Sequence, residues 1–330
     1  MTATTLPPLT RALRLSQPMQ RGADVVAMQT RLLLSGGRAA AVLRMVDGLF
    51  GPATARAVAA FQSDTGLAAD GIVGPATWAR LFLPADAPPQ ALAAAAHAVA
   101  RAGSPTALLA DLAPLRAFHA RFDGGARWRL GAMGVEVEDQ PIPLTTAQSR
   151  RVRAVLADWF PIPLRAEARR TGLPIELLVA CLCTESAGAA ADAAAAANAE
   201  RHEPGFRSYD ATPHRVSIGC MQTLVSTAAE VLGRPVSAAD LRDPAVSIAA
   251  GAAYIASQAA RTRLDPPVVA CAYNSGGVYQ QEGPDNRWRM RQFPIGTGRH
   301  ADRFIGFFNA TVALLRAEPG LAGGAPAFFA

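Results

Sequence analysis

Glu185 is the residue best suited to chemistry in this chain. The run Pro174-Ile175-Glu176-Leu177-Leu178-Val179-Ala180-Cys181-Leu182-Cys183-Thr184-Glu185-Ser186 has a helical pattern. Ile175, Leu178, Val179 and Leu182 recur at i, i+3, i+4 and i+7, one apolar face of a 3.6-residue period. Glu185 falls three residues later, on the continuation of that stripe, where the pattern calls for a core side chain. Desolvation raises a carboxyl pKa, and an acid still protonated near neutrality can protonate a leaving group. Cleavage of a glycosidic bond needs such a group. This helix alone does not separate that reading from a helix-terminal Glu reaching out to solvent.

Two further segments bear on the choice. Ser217-Ile218-Gly219-Cys220-Met221-Gln222 is a small-residue turn leading into a helix, and Cys271-Ala272-Tyr273-Asn274-Ser275-Gly276-Gly277 is an apolar helix end breaking into a Gly-rich loop. With the Glu-Ser pair, and in this order, they resemble the signatures of the lysozyme-like lytic transglycosylases of the soluble-lytic (SLT) type. The resemblance covers roughly residues 125–318. It implies Glu185 as the sole acid and base, with Ser186 orienting it. Gly219, Met221 and Gln222 would line a sugar cleft, Met221 otherwise being core. Tyr273 would bond to Glu185 or the sugar, and Asn274 would shape the loop or cap a turn. The substrate's own acetamido group and C6 hydroxyl would serve as nucleophiles, leaving a 1,6-anhydro end. The gap between Glu185 and Gly219 is longer than the family pattern implies. It contains Glu200, Glu203 and Asp210; of these, Glu203 and Asp210 are the main candidates for a second carboxyl that activates water, which would make a hydrolytic muramidase. His202, Arg207 and Tyr209 read equally well as a solvated lip.

Residues 14–83 contain a repeat. Asp47-Gly48-Leu49-Phe50-Gly51-Pro52-Ala53-Thr54 recurs as Asp70-Gly71-Ile72-Val73-Gly74-Pro75-Ala76-Thr77. Asp-Gly makes a turn, and Gly-Pro puts proline in the first turn of a helix, where its missing N–H costs nothing. Val25, Met28, Gln29 and Leu32 predict an earlier helix; Thr54, Ala57, Val58 and Phe61 predict the next, and Thr77, Trp78 and Leu81 a third. This three-helix unit resembles the peptidoglycan-binding module of wall hydrolases, through Gln29 to Leu32, Asp47 to Thr54, Ala57 to Gln62 and Asp70 to Trp78. Most of these side chains are expected to build the fold rather than touch ligand. The chain therefore reads as mainly α: a peptidoglycan-binding domain at 14–83, an Ala/Pro-rich linker with spacer helices at 84–124, and a lysozyme-like, predominantly helical domain at 125–318. Trp128 to Val137 suggests a hairpin, and the Gly-rich tail after Phe304–Leu315 reads as frayed.

Composition narrows the partners. Half of the 330 residues are hydrophobic, a share inflated by Ala, and no run approaches a membrane span. All 32 basic residues are arginine and the net charge is +6. Residues 1–85 hold eight Arg against four Asp. A basic surface suits a polyanion such as a wall polymer; no nucleic-acid motif accompanies it, so nucleic acid is not expected as a partner. Cys181, Cys183, Cys220 and Cys271 fit buried reduced thiols, and the histidines lack zinc spacing, so neither metal nor cofactor is expected. Met1-Thr2-Ala3-Thr4-Thr5-Leu6-Pro7-Pro8 shows no secretory pattern. The expectation is a monomeric wall enzyme made in the cytoplasm and released to the periplasm by a holin or carried on a particle, by analogy with endolysins. A non-catalytic wall-binding structural protein and a wall peptidase are the competing classes. Intact Glu185 weighs against the first; the absence of a Cys–His pair or zinc spacing weighs against the second.

Overall fold

The computed structural model describes residues 6, 7, 9, 11–16 and 19–329. Most of the N-terminal segment used for the leader reading lies outside these residues. The chain divides at Ser104/Pro105 into two units.

The first unit holds α1 (Ala23–Leu34), α2 (Gly37–Leu43), α3 (Pro52–Asp64), α4 (Pro75–Phe82) and α5 (Pro89–Ala102). The buried residues of α1 are Val25, Met28, Gln29 and Leu32, the face its period predicts. The short α2 adds a helix to the three expected. Each copy of the repeat is built around one buried glutamine. Gln29 Nε2 donates to Asp47 Oδ1 (2.8 Å), the Leu49 carbonyl (3.1 Å) and Thr54 Oγ1 (3.1 Å), while its Oε1 accepts from the Gly48 N–H at 2.8 Å. Gln62 repeats this with Asp70 Oδ1 (2.8 Å), the Ile72 carbonyl (2.9 Å), Thr77 Oγ1 (3.1 Å) and the Gly71 N–H (2.9 Å). The Asp-Gly turn and the start of the next helix are thus stapled by one side chain whose polar atoms are satisfied, the condition for burying an amide. The residues that define the motif are therefore fold-builders. The helix α5 has no fully buried residue, and its Val99 leans on this unit's core.

The second unit holds α6 (Pro105–Ala110), α7 (Ala113–Arg116), the hairpin β1 (Trp128–Gly131) and β2 (Gly134–Val137), α8 (Thr146–Arg153), α9 (Pro161–Thr171) and α10 (Ile175–Leu182). It continues with α11 (Ala193–Ala197), the antiparallel β3 (Glu200–His202), β4 (Val216–Ile218) and β5 (Thr223–Leu224), α12 (Val225–Leu232), α13 (Ala238–Arg242), α14 (Pro244–Ser257), α15 (Ala259–Thr262), α16 (Pro266–Ser275) and α17 (Arg299–Ala317). Every residue of α10 is buried, as befits a helix apolar on all sides but for Glu176. It packs among α9, α14, α16 and α17. The hairpin pairs Trp128 with Val137 and Leu130 with Val135. Asn309 of α17 fixes it by exchanging hydrogen bonds with the Val135 backbone. Trp128 Nε1 donates to Asp265 at the start of α16 (2.8 Å), and His119 meets the same carboxylate at 3.0 Å. Residues expected to be spacer thus split: those of α5 go with the first unit, those from Pro105 onward with the second. No helix among the described residues is long and apolar enough to cross a membrane.

The tail is not frayed. Arg165 and Arg169 donate to the carbonyls of Leu321 and Gly323, the Ile175 N–H donates to the Pro326 carbonyl at 2.8 Å, and Phe328 is buried against Phe308. Apolar residues beyond the glycines provide the burial that a Gly-rich stretch alone lacks. Glu176 closes this latch by accepting the Phe328 N–H at 2.9 Å. Burial raises its carboxyl from 4.5 to about 7, even though the hydrogen bonds from backbone N–H groups pull it down. The unfolded chain would ionise it near 4.5, so stability attached to the neutral acid is full below that pH and is lost as pH rises through about 7. Glu176→Gln keeps the acceptor for Phe328. It should leave the melting temperature unchanged at pH 4 and raise the stability of this unit by on the order of 3 kcal/mol at pH 8. Equal stabilisation at both pH values would rule out the buried acid as its source.

Candidate active site

Beneath Glu185 the helix changes pitch. Residues Cys183–Ala187 wind as a π turn, with the Gly188 N–H reaching back five residues to the Cys183 carbonyl at 2.8 Å. The wider turn ends the α10 stripe at the edge of the core and leaves the Glu185 side chain 15% exposed. Such π segments inserted in helices occur often at functional sites.

Glu185 lines a cleft of about 520 Å³ together with Arg201, Glu203, Gln222, Tyr273 and Asn274. Burial pushes the Glu185 carboxyl up to about 7, against the opposing charges of Arg303 and Arg201. Its Oε1 is buried and lies 3.4 Å from His300 Nε2 at the start of α17. Burial first, then Arg303 and Arg201, push His300 down to about 3, so the ring is neutral.

The residues singled out by sequence divide between wall and frame. Ser186 turns away from Glu185 and donates to the Cys220 carbonyl at 2.7 Å, tying the π turn to the loop after β4. Gly219, at φ +82°, is pressed against the Leu241 carbonyl and the Ser247 hydroxyl; that approach, rather than a sugar, is what requires a glycine. Met221 is fully buried and packs on Gly251 of α14. Its carbonyl accepts the Tyr273 hydroxyl at 2.7 Å, so in this structure Tyr273 bonds to the loop and not to Glu185. Gln222, itself at φ +49°, donates from Nε2 to the carbonyls of Ala199 and Gly219, both at 2.9 Å. Both of these bonds use its amide nitrogen, and Gln222 lines the cleft. Asn274 lines the cleft while accepting the Phe293 N–H, which holds the loop after α16. All four cysteines are free and buried.

The long segment between Glu185 and Gly219 forms α11 and β3, which pairs with β4 (His202 with Val216, Glu200 with Ile218). Glu203 lines the cleft, 3.4 Å from Arg201. Asp210 does not: Ser208 and Thr212 close a turn by hydrogen bonding, and Asp210 lines a separate hollow with Val225 and Pro235. Burial alone would raise Glu200, but hydrogen bonds from His202, Tyr209 and Arg242 hold it below the usual carboxylate value. The sequence reading missed His300 and Tyr254, which stands edge-on to Tyr273 with ring centroids 5.3 Å apart. Tyr254 was within reach, since Ser247, Gly251 and Tyr254 share one helical face; nothing in the sequence marks His300.

Residues 21–81 match a family described as a putative peptidoglycan binding domain, and residues 163–289 match the transglycosylase SLT domain. An uncharacterized protein in the bpoA1 3' region of Kitasatospora aureofaciens is 67% identical over 36 residues, 11% of this chain and 30% of that one. The zinc D-Ala-D-Ala carboxypeptidase of Streptomyces albus G is 62% identical over 37 residues, 11% of this chain and 14% of that one. The chain thus spans less than a third of the length of either relative. The crystal structure of the Burkholderia AP3 phage endolysin aligns with 92% of this chain and 99% of that one, at 18% identity and a TM-score of 0.28. The chain carries an N-terminal domain of the peptidoglycan-binding type followed by a transglycosylase SLT domain.

Proposed function

We propose that this protein cuts the glycan strand of bacterial peptidoglycan between N-acetylmuramic acid and N-acetylglucosamine by lytic transglycosylation, with Glu185 as the general acid and then the general base. The observation that carries the reading is a carboxyl raised to about 7 by burial on the wall of an open cleft. An acid of that pKa is half protonated at neutral pH, near the optimum for proton transfer. Glu185 gives its proton to the glycosidic oxygen as the C1–O bond breaks and the acetamido oxygen closes on C1. It then takes the proton of the C6 hydroxyl as that oxygen displaces the acetamido group, leaving the 1,6-anhydro end. No second carboxylate is needed for this sequence.

Hydrolysis is the second reading, favoured by one observation: Glu203 lines the same cleft. There, Glu203 would hold a water for attack at C1. Mass spectrometry of muropeptides released from purified sacculi separates the two by one water per cut. Transglycosylation requires 1,6-anhydro-N-acetylmuramic acid ends; reducing ends alone would overturn it and make Glu203→Gln the next variant to test.

The first unit is read as the targeting device. Its eight Arg against four Asp in residues 1–85 suit an anionic wall. Residues 1–104 alone should co-sediment with sacculi, and less so as salt rises past ~0.15 M, where the screening length falls to about 8 Å. Residues 105–330 should cut soluble glycan fragments normally and clear sacculi poorly. Equal clearance by the truncated and full chains would remove the targeting role.

A further inference from the structure

We propose that His300 is a positioning residue for Glu185: its Nε2–H holds the inner oxygen Oε1, so that the transferable proton resides on Oε2. The inference rests on the Glu185 reading above and adds a residue to it. Glu185 Oε1 and His300 Nε2 are both buried and lie 3.4 Å apart without hydrogen-bond geometry between them, and neither has a hydrogen-bond partner among the described residues. A buried polar atom left unsatisfied costs roughly 1–3 kcal/mol, so closing this contact into a hydrogen bond would satisfy both atoms at once. Active-site hydrogen bonds are often long in the free enzyme and shorten when substrate is bound.

The surroundings fix the protonation of the ring. Arg303 on α17 and Arg201 on β3 both oppose an imidazolium. His300 also lies in the first turn of α17, where the positive end of the helix opposes it further. From α10 and α16, Cys181 and Tyr273 face the pair; burial pushes both well up, so they stay neutral. A neutral imidazole with its proton on Nε2 donates to Oε1 whichever state the carboxyl is in. Before the first step this leaves the acidic hydrogen on Oε2. After that step it gives the new carboxylate one donor, so the base is held in place for the second proton transfer.

The test uses three variants of the full chain. His300→Leu removes the donor, and its kcat on sacculi should fall by ~10–100-fold, the worth of a hydrogen bond to a charged group, with KM changed less than about twofold. The basic limb of its kcat–pH profile should move upward, because the carboxylate has lost a stabilising donor. His300→Gln places an amide N–H near the position of Nε2 and should recover most of the loss and return the limb to its place. His300→Asn is polar but too short and should behave like the Leu variant. Full activity in the Leu or Asn variant overturns the proposal, as does equal impairment of all three with an unmoved limb, which would mean a packing role. A carbon-13 NMR titration of the Glu185 carboxyl tests the pair independently of turnover: its midpoint should rise in His300→Leu, and an unchanged midpoint overturns the proposal. If the wild type releases no glycan fragments, the Glu185 reading falls while the titration still decides on the pair.

Discussion

Glu185→Gln should reduce the clearing rate of sacculi by at least ~10³-fold, within the range that general acid–base catalysis contributes. The same replacement should stabilise the fold at alkaline pH. Burial raises the Glu185 carboxyl from 4.5 to about 7. The unfolded chain loses this proton near 4.5, so the stability tied to the neutral acid is full below that pH and disappears as pH rises through about 7. An amide at this position has no proton to lose. Its melting temperature should match the wild type near pH 4 and exceed it at pH 8, while activity is lost at both. For the wild type, the acid is the working form, so kcat should fall on the alkaline side of about pH 7. A Gln variant retaining more than a tenth of the wild-type rate would exclude Glu185 as the proton donor. A variant both inactive and unstable at pH 8 would point to a structural role.

Much of the fold was legible because it rests on short-range regularities. Val25, Met28, Gln29 and Leu32 announced the inner face of α1 by period alone, and they are the buried residues of that helix. The repeat was visible because each Asp-Gly turn and the Gly-Pro helix start after it keep one spacing, Asp47 to Thr54 and Asp70 to Thr77, and one glutamine staples each copy. What stayed hidden depends on contacts distant in sequence or on backbone geometry without a residue signature. The π turn that reorients Glu185 is closed by the Gly188 N–H on the Cys183 carbonyl five residues back, and a lone glycine at a helix end does not by itself mark such a turn. His300 meets Glu185 because α17 starts beside the end of α10, which no local pattern encodes. The glycines of the tail suggest a loose end, yet Phe328 and a buried Glu176 hold it down. Asp210 and Glu203 look alike as loop carboxylates, and the Ser208–Thr212 turn separates them.

Gly219→Ala should be among the most destabilising single-methyl changes in the second unit. In sequence this glycine suggests room for a ligand; in the fold the room is already taken. A Cβ there would stand 2.0 Å from the Leu241 carbonyl oxygen and 2.6 Å from Ser247 Oγ. The serine can rotate, but the carbonyl belongs to backbone and cannot. The φ of +82° adds a strain that an L side chain bears at a cost of order 1–3 kcal/mol. Clash and strain together should exceed ~4 kcal/mol, in the exceptional range for one substitution. The turn also holds the cleft wall: Gln222 bonds back to the Gly219 carbonyl, and the Met221 carbonyl holds Tyr273. A displaced turn would therefore disturb two cleft residues even in the fraction that folds. Gly205 provides the control. It lies on the same insertion at φ +86°, and a Cβ added there would meet nothing within 4 Å, so Gly205→Ala carries the backbone strain without the clash. Chemical denaturation should place Gly205→Ala within about 1–2 kcal/mol of wild type and Gly219→Ala well below both. If the two variants lose equal stability, the Leu241 carbonyl is not what excludes a side chain, and φ alone explains the glycine. If Gly219→Ala is as stable as wild type but inactive, the methyl group blocks substrate instead, and the reading of Gly219 as a residue that sugar approaches is restored.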